Sequence, residues 1–311
     1  MIVVAGESLI DLLPEPATAT TALAPLHPRP GGGPYNTALA LGRLGGPAAF
    51  CSRVSTDAFG EALLTRLRTA GVGLSLVARG PEPTTLAVAT VGADGSAGYG
   101  FYAQGTADRL FELPPPLPDE VEAMAFGTCS LVLEPGASAY EALLRREAGR
   151  GRFILLDPNV RPGIIPDPDA WRQRFTGLLP QVSLLKLSEE DADWLGGVPR
   201  GPEAVVVTRG SGGLEVRPRD GARVVVPAIP VTVADTIGAG DTVNAALLHA
   251  VRHADALRPG ALRRLTSEQW RAILSFAAQA AAVTCSRAGA NPPYLSDLPG
   301  RETTLAALER R

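Results

Sequence analysis

The chain has 311 residues, of which 45% are hydrophobic and 20% are charged, and its formal net charge is −3 at pH 7. This composition is typical of a globular protein with a large core and excludes a disordered chain. The basic residues are scattered singly, so the sequence predicts no nucleic-acid partner, which would need a clustered basic face.

Short apolar runs of strand length alternate with helical patterns along most of the chain. The predicted strands are Ile2–Ala5, Ala48–Arg53, Phe153–Leu156, Ser183–Lys186 and Ala204–Thr208. The predicted helices are Asn36–Leu44, Ala58–Ala70, Ala137–Arg150, Asp169–Leu179 and Glu189–Leu195. Apolar strands separated by helices indicate an α/β fold with a parallel sheet covered on both faces. We therefore predict a single α/β domain over residues 1–311.

One region departs from this alternation. Thr84–Val91 and Gly98–Tyr102 flank the turn sequence Gly92-Ala93-Asp94-Gly95, which predicts a β-hairpin. Such a ribbon is either a surface hairpin or a lid over a ligand crevice. We expect lid elements around residues 12–30 and 84–104, and an exposed lid edge would suit a homodimer.

Neither the first residues nor the longest apolar stretch of the chain predicts membrane attachment. The first 14 residues, MIVVAGESLIDLLP, have no basic segment and no cleavage site, so they are predicted to be strand and not signal peptide. The longest apolar stretch, Ala272 to Cys285, is too short for a membrane span and is interrupted by Ser275 and Gln279. We expect a cytoplasmic protein with no membrane partner.

A glycine-rich turn near the C-terminal end carries the clearest chemical signal. Gly238, Ala239 and Gly240 lead directly into a helical pattern, and small residues there allow a ligand to approach the free N–H groups of the first turn. With the helix dipole, this arrangement suits a phosphate. Asp241 lies in that first turn, either as a capping carboxylate or as a base that accepts a proton from an attacking hydroxyl.

Two motifs about 200 residues apart resemble the signatures of one family. Residues 235–241 (DTIGAGD) resemble the C-terminal signature of the ribokinase-like (PfkB) carbohydrate kinases, and residues 31–45 (GGGPYNTALALGRLG) resemble their N-terminal signature. The resemblance implies a ribokinase-like fold: an open, mainly parallel sheet with helices on both faces and a small β-sheet lid. It also implies ATP as the phosphate donor, Asp241 as the base, and Gly238, Ala239 and Gly240 as donors to the transferring phosphoryl group. The chain lacks a GxxxxGK[ST] motif, which excludes a lysine P-loop NTPase.

The resemblance further implies a set of sugar contacts. These are Asp11, Gly32, Gly33, Asn36, Tyr102 and Arg161. Asp11 could accept two adjacent hydroxyls or only cap a turn, and Asn36 could bind a hydroxyl or serve as an ordinary helix N-cap. Tyr102 would pack against the sugar under the lid. Arg161 could reach the sugar or a phosphate, or form a structural salt bridge.

The nucleotide and metal contacts follow from the same resemblance. The implied nucleotide-binding residues are Lys186, Ser188, Thr208, Gly210, Gly213 and Gly289. Where relatives carry Asn-x-x-Glu to organise Mg²⁺ and phosphate, this chain has Ser188 and Asp191, and Glu190 could compensate through water. The backbone near Asp235 and Ile237 could hold a monovalent cation such as K⁺.

The substrate is predicted from several segments and from one position beside the lid tyrosine. Residues 84–87 (TTLA), 127–131 (GTCSL) and 157–162 (DPNVRP) are among the segments that most resemble the fructose kinases of the family. Fructose kinases and ketodeoxygluconate kinases of the family often carry arginine beside the lid tyrosine, whereas this chain has Ala103. The loss of a cation disfavours an acidic substrate more than a neutral one, so we predict a sugar kinase that phosphorylates a primary hydroxyl of fructose. The alternatives are 2-keto-3-deoxygluconate kinase, ribokinase, and a sugar sensor without catalytic activity.

Overall fold

The fold is given by a computed structural model that describes residues 1–14, 25–91 and 97–309. Residues 15–24 of the first expected lid segment and the predicted turn at residues 92–95 lie outside the described residues.

Thirteen strands are described. In chain order they are β1 (Ile2–Ala5), β2 (Leu9–Pro14), β3 (Leu26–Gly31), β4 (Ala48–Ser55), β5 (Gly73–Gly80), β6 (Thr85–Val91), β7 (Ala97–Tyr102), β8 (Ala123–Gly127), β9 (Phe153–Asp157), β10 (Leu184–Ser188), β11 (Ala204–Thr208), β12 (Leu214–Pro218) and β13 (Val224–Val226). Nine of them form a large sheet in the order β13-β12-β11-β10-β9-β8-β1-β4-β5. Every neighbouring pair in it is parallel except those that β12 makes, because β12 is antiparallel to both of its neighbours.

Helices cover both faces of the large sheet, as predicted. The α-helices described are α1 (Gly33–Arg43), α2 (Ala58–Thr69), α3 (Gly136–Gly149), α4 (Pro168–Leu178), α5 (Glu189–Trp194), α6 (Ala239–His253), α7 (Ser267–Cys285) and α8 (Arg301–Glu309). Successive residues of a strand point to opposite faces, and the core is accordingly divided into two clusters. Ile2 and Val4 of β1 join the cluster that contains α1, α6 and α7, whereas Val3 and Ala5 join the cluster that contains α3 and α4.

A separate sheet of four strands has the order β3-β2-β6-β7. The β6–β7 pair is antiparallel, which confirms the predicted hairpin strands. β2 follows β1 after only three residues, and β3 ends immediately before Gly32 and α1. The small sheet is therefore connected to the large sheet at the carboxyl end of β1, the edge at which ligands bind in open α/β sheets.

Two sequence-based expectations need correction. Helix α1 begins at Gly33, three residues before the predicted start, and its N-cap is Gly32. Pro34 explains the early start, since proline is favoured in the first helical turn. The N-cap alternative for Asn36 was therefore wrong, because Asn36 lies inside the helix.

In the described part of the chain, no helix combines the length and the apolar character that a membrane crossing requires.

Candidate active site

The catalytic candidate Asp241 lies in the first turn of α6. Gly238 is the N-cap of this helix, with φ at +78°, and a Cβ there would come within 2.9 Å of the Ala290 Cβ atom. A glycine is thus required both by the left-handed backbone and by the close neighbour. Ala239 N–H already donates to Thr236 O at 3.2 Å. The remaining N–H groups of the turn have no partner within the helix, which leaves donors for an anion next to a carboxylate.

The Asp241 carboxylate is 9% exposed and receives a hydrogen bond at Oδ2 from Asn36 Nδ2, at 2.9 Å. Burial raises the pKa of Asp241 to about 7, even though the Asn36 hydrogen bond and the charges of Lys186 and Arg161 lower it. A carboxyl group with a pKa near neutrality is well matched to taking up and releasing a proton.

A buried charged pair lies beneath this turn. Lys186 Nζ donates to Asp157 Oδ2 at 2.8 Å, and Asn244 Nδ2 donates to the same oxygen at 2.7 Å. Burial by itself lowers the pKa of Lys186, but the charges of Asp157, Asp191 and Asp241 outweigh it and leave the pKa raised. A Cβ on Gly240 would lie 3.0 Å from Lys186 Nζ. The ammonium group is therefore charged and adjacent to the glycine turn, where a phosphate would add a further anion.

Most of the predicted sugar contacts converge on the same place. A Cβ on Gly33 would lie 2.5 Å from Thr128 Oγ1 and 3.3 Å from Asp241 Oδ1. Gly32 has φ at +105°, and a Cβ there would lie 2.8 Å from Glu7 O. Burial raises the pKa of Asp11 to about 6, and the nearby Arg161 lowers it. Gly33 and Asn36 therefore adjoin the Asp241 carboxylate, and the charge of Arg161 acts on both Asp11 and Asp241.

The last two predicted sugar contacts differ from each other. Tyr102 is exposed, whereas Arg161 lies near both Asp11 and Asp241. The Tyr102 side chain is 68% exposed and does not pack against the site. Arg161 donates through Nη1 to Asn159 Oδ1 at 2.7 Å and to backbone oxygens of Asn159 and Val160, and no salt bridge of Arg161 is found among the described residues.

Sequence reasoning assigned no role to Thr128 or Asn159, although both lie at this edge of the sheet. They follow β8 and β9, have φ values of +59° and +37°, and are joined by a hydrogen bond from Asn159 Nδ2 to Thr128 Oγ1 at 3.3 Å. Residues other than glycine rarely adopt such backbone conformations, and they cluster at functional sites. The sequence signals were their positions after buried strands and the resemblance of residues 127–131 and 157–162 to segments of the fructose kinases.

A cavity of about 490 Å³ lies on the other side of the glycine turn. Its wall includes Ala239 and Gly240 together with three predicted nucleotide contacts, Thr208, Gly210 and Gly213. The far end is lined by apolar side chains. They are Leu214, Ala228, Ile229, Pro230, Val231, Val233, Ala278, Ala281 and Ala282. An apolar slot that ends at a helix N-terminus suits a flat base attached to phosphates.

The other predicted nucleotide and magnesium residues do not line this cavity. Ser188 and Asp191 form a capping box at the start of α5, and Asp191 also accepts a hydrogen bond from Val160 N–H at 2.7 Å. Both Asp191 oxygens are thus engaged by backbone groups, whereas Glu190 is exposed beside them. No group of three or more His, Cys, Asp or Glu side chains able to hold a metal is found among the described residues.

The predicted monovalent-cation residues connect two loops. The Asp235 carboxylate accepts hydrogen bonds from Ile237 N–H at 3.0 Å and from Gly289 N–H at 2.9 Å. Arg66 donates to Ala290 O at 2.7 Å in the same loop. Asp235 and Gly289 therefore fix the backbone that precedes the glycine turn.

Comparisons with known proteins match the chain to one family. The sequence model of the pfkB family carbohydrate kinases matches residues 1–297. The chain is 40% identical over 265 residues to a fructokinase of Rhizobium leguminosarum bv. trifolii, covering 81% of this chain and 80% of the relative. It is 32% identical to fructokinase-1 of Oryza sativa subsp. japonica, covering 99% and 98%. A fructokinase from Xylella fastidiosa with bound ATP shares the fold with a TM-score of 0.84 and 25% identity, covering 99% of this chain and 98% of that chain. Since the family model spans nearly the whole chain, the protein belongs to the pfkB family of carbohydrate kinases.

Proposed function

We propose that this protein is an ATP-dependent fructokinase that phosphorylates a primary hydroxyl of fructose. The observation that carries the proposal is the position of Asp241, which directly follows Gly240 on the wall of the 490 Å³ cavity and accepts a hydrogen bond from Asn36, a predicted sugar contact. The relatives that are 40% and 32% identical are fructokinases, and the Xylella fastidiosa structure contains ATP.

The reaction uses each part of this arrangement. The sugar hydroxyl oxygen attacks the γ-phosphorus of ATP, the bond from phosphorus to the leaving oxygen of ADP breaks, and the hydroxyl proton passes to the Asp241 carboxylate. The N–H groups of Gly238 and Gly240, together with Lys186, stabilise negative charge on the transferring group, whereas the N–H group of Ala239, the third predicted donor, is already bonded to Thr236 O. Asp11 and Asn36 hold other hydroxyls of the sugar, and the Asn36 Oδ1 atom is buried with no hydrogen-bond partner among the described residues.

A divalent metal, which we take to be Mg²⁺, would be held indirectly. The Asp191 oxygens already accept backbone hydrogen bonds, so the donor set fits a metal that keeps several waters and binds substrate phosphates. Glu190 and Asp191 would contact its water shell. When bound, the metal supplies positive charge that neutralises the nucleotide phosphates.

A monovalent cation such as K⁺ near Asp235 and Ile237 is a second, separate part of the proposal. The Asp235 carboxylate and the carbonyl oxygens of this loop are suitable ligands. If a cation binds there, activity should differ between K⁺ and a bulky cation such as tetramethylammonium at equal ionic strength.

We further propose that residues 1–311 act as one domain in which the four-stranded sheet closes over the sugar. The short connection between β1 and β2 and the Gly32 link to α1 support this role for the small sheet. Closure would bring the exposed Tyr102 toward the sugar and exclude water from the transferring phosphoryl group.

The preference for fructose over an acidic sugar rests on the small number of positively charged side chains at the sugar end. Ala103 is 6% exposed and supplies no charge, and Arg161 is a single cation whose Nη1 atom is already bonded to Asn159. Neither residue offers two-sided recognition of a carboxylate, so a neutral sugar fits better than ketodeoxygluconate.

The direct test is sugar-dependent release of ADP by the purified protein, measured with fructose, ribose, ketodeoxygluconate, glucose and adenosine. We expect the highest kcat/KM with fructose. A higher value with ketodeoxygluconate would overturn the substrate assignment. Thermal stabilisation by a sugar without ADP release would instead indicate a non-catalytic sensor.

Asp11 provides a prediction for the sugar end. A hydrogen bond to a charged group contributes about 1.5–3 kcal/mol, so Asp11→Ala should raise the fructose KM roughly 10- to 100-fold and leave the ATP KM unchanged. The pKa of Asp11 is about 6, so its ionised acceptor form is lost as the pH falls below 6, and the wild-type fructose KM should rise there. The Asp11→Asn variant, which cannot ionise, is the control and should show no such rise. An Asp11→Ala protein with a raised ATP KM and an unchanged fructose KM would show that the two ends are reversed.

Ala281 provides a matching prediction for the nucleotide end. Ala281→Leu adds three carbon atoms to the wall of the 490 Å³ cavity. We expect the ATP KM to rise about tenfold, which corresponds to about 1.4 kcal/mol of binding, with the fructose KM unchanged. Arg271→Leu places a leucine on an exposed face of the same helix and is the control. Equal kinetics for the two variants would exclude this cavity as the ATP site.

A further inference from the structure

A second, much smaller cavity lies directly beneath the general base. Its volume is about 10 Å³, which is about what the centre of one water molecule requires. It lies between α6 and the carboxyl ends of β8 and β9. Polar residues on its wall include Thr128, Asp157, Asp241 and Asn244.

One atom of this wall lacks a hydrogen-bond donor. Asn244 is 3% exposed, and its Oδ1 atom has no partner among the described residues. The orientation of the amide is fixed by its other end, because Nδ2 donates to Asp157 Oδ2 at 2.7 Å. A flipped amide would place two acceptor oxygens against each other. The buried oxygen therefore needs a donor that the neighbouring protein groups do not provide.

Two further groups can complete the coordination of a water. The Asp241 carboxylate receives Asn36 at Oδ2, so its Oδ1 atom can accept another hydrogen bond. Thr128 Oγ1 accepts from Asn159, and its own hydrogen can be donated. One water could donate to Asn244 Oδ1 and to Asp241 and accept from Thr128, which gives three partners in a polar space of the right size.

We propose that a single water molecule binds in this cavity, held by Asn244 Oδ1, and that Asn244 positions the general base Asp241 through it. The binding of the water does not depend on the proposed kinase function. Only the expected effect of Asn244 on turnover rests on that function. A hydrogen bond donated to the ionised carboxylate stabilises that form against burial. Asn244 thereby keeps Asp241 available as a base near neutral pH.

The other charged and polar groups that face Asp241 are Asp157 on β9, Lys186 on β10, Arg161 after β9 and Asn36 on α1. None of them is changed in the variants below. Asn244→Leu removes the Oδ1 atom and also the bond to Asp157. Thr128→Val removes the hydroxyl, and with it the acceptor for Asn159 Nδ2, but leaves the contact between Asn244 and Asp157 intact.

The test combines crystallography with the pH dependence of kcat/KM for fructose. We expect density for one water between Asn244 Oδ1 and the Asp241 carboxylate in the wild-type protein. In Asn244→Leu the fall of kcat/KM on the acid side should occur about one pH unit higher than in the wild-type protein. The variant should therefore have a kcat/KM about tenfold lower than wild type at pH 6 and only slightly lower at pH 9. Thr128→Val should move it in the same direction, and Thr128→Ser should bring it back toward the wild-type position.

Three results would overturn the proposal. They are a well-ordered wild-type structure with no water in the cavity, a loss in both Asn244→Leu and Thr128→Val that is equal at every pH, and a Thr128→Ser profile that matches Thr128→Val. If no sugar is turned over at all, the proposed function fails, and the crystallographic result still decides whether the water is bound.

Discussion

Replacing Asp241 by asparagine should lower kcat about 10²- to 10⁴-fold, because the variant keeps the shape of the side chain and loses the proton acceptor. Asn36 can still donate to the amide oxygen, so the start of α6 should be preserved. Calorimetric titration should therefore show nearly unchanged affinities for fructose and for a non-hydrolysable ATP analogue. Asp193→Asn changes an exposed carboxylate on α5 and is the matched control. Retention of most of the turnover would show that Asp241 only caps the helix.

The same variant should be more stable than the wild-type protein at alkaline pH. The pKa of Asp241 is about 7 in the folded protein, above its ordinary value of 3.8. An acid with a raised folded pKa binds its proton more tightly in the folded state, so stability is lost as the pH rises from about 4 to 7. Asp241→Asn removes this loss, and we expect a Tm gain of roughly 4 °C or more at pH 8 that largely disappears near pH 4. A gain of equal size at both pH values would contradict the assigned pKa.

Replacing Lys186, the single lysine of the chain, should reduce both stability and activity. Lys186→Met leaves the buried Asp157 carboxylate without its cation, and breaking a buried pair in this way typically costs about 3–5 kcal/mol. Urea unfolding at pH 7.5 measures that cost. Activity should fall too, because the ammonium group next to Gly240 is lost and the pKa of Asp241 rises without the opposing charge.

A double variant separates the two effects. Lys186→Met with Asp157→Asn removes both charges and retains an acceptor oxygen for Asn244. We expect it to recover most of the free energy of unfolding and little of the turnover. Recovery of both would mean that Lys186 stabilises the fold and takes no part in phosphoryl transfer.

Most of the buried parallel strands could be predicted because continuous apolar runs leave few alternatives. β8 was missed although it is fully buried, because its two alanines and its glycine give a weak strand pattern. β11 was predicted with its observed bounds, and β1 likewise. Strands β5 and β12 were missed because they lie toward the edges of the sheet and carry polar residues. Glu215 of β12 is fully buried, and its charge is compensated by Arg217 of the same strand and by Arg209 and Arg223 from the segments before and after it. Such compensation depends on the fold and is not visible in a local pattern.

Some features of the candidate site could likewise be predicted from the sequence, and others could not. The glycine turn and Asp241 are contiguous, so their relation could be predicted from the order of the residues. The pairing of Lys186 with Asp157 could not, since these residues are 29 positions apart on adjacent strands. Ser188 and Asp191 followed the spacing of a capping box, a local signal that sequence analysis could have used before assigning them to metal.

The most direct test of the account is the mass balance of the reaction in a mixture of the purified protein, fructose, ATP and Mg²⁺. Phosphorus NMR and mass spectrometry should show one fructose monophosphate, esterified at a primary hydroxyl, for every ADP formed, and ADP should not accumulate without the sugar. Formation of ADP at the same rate with and without fructose, or the absence of a sugar phosphate, would contradict the account.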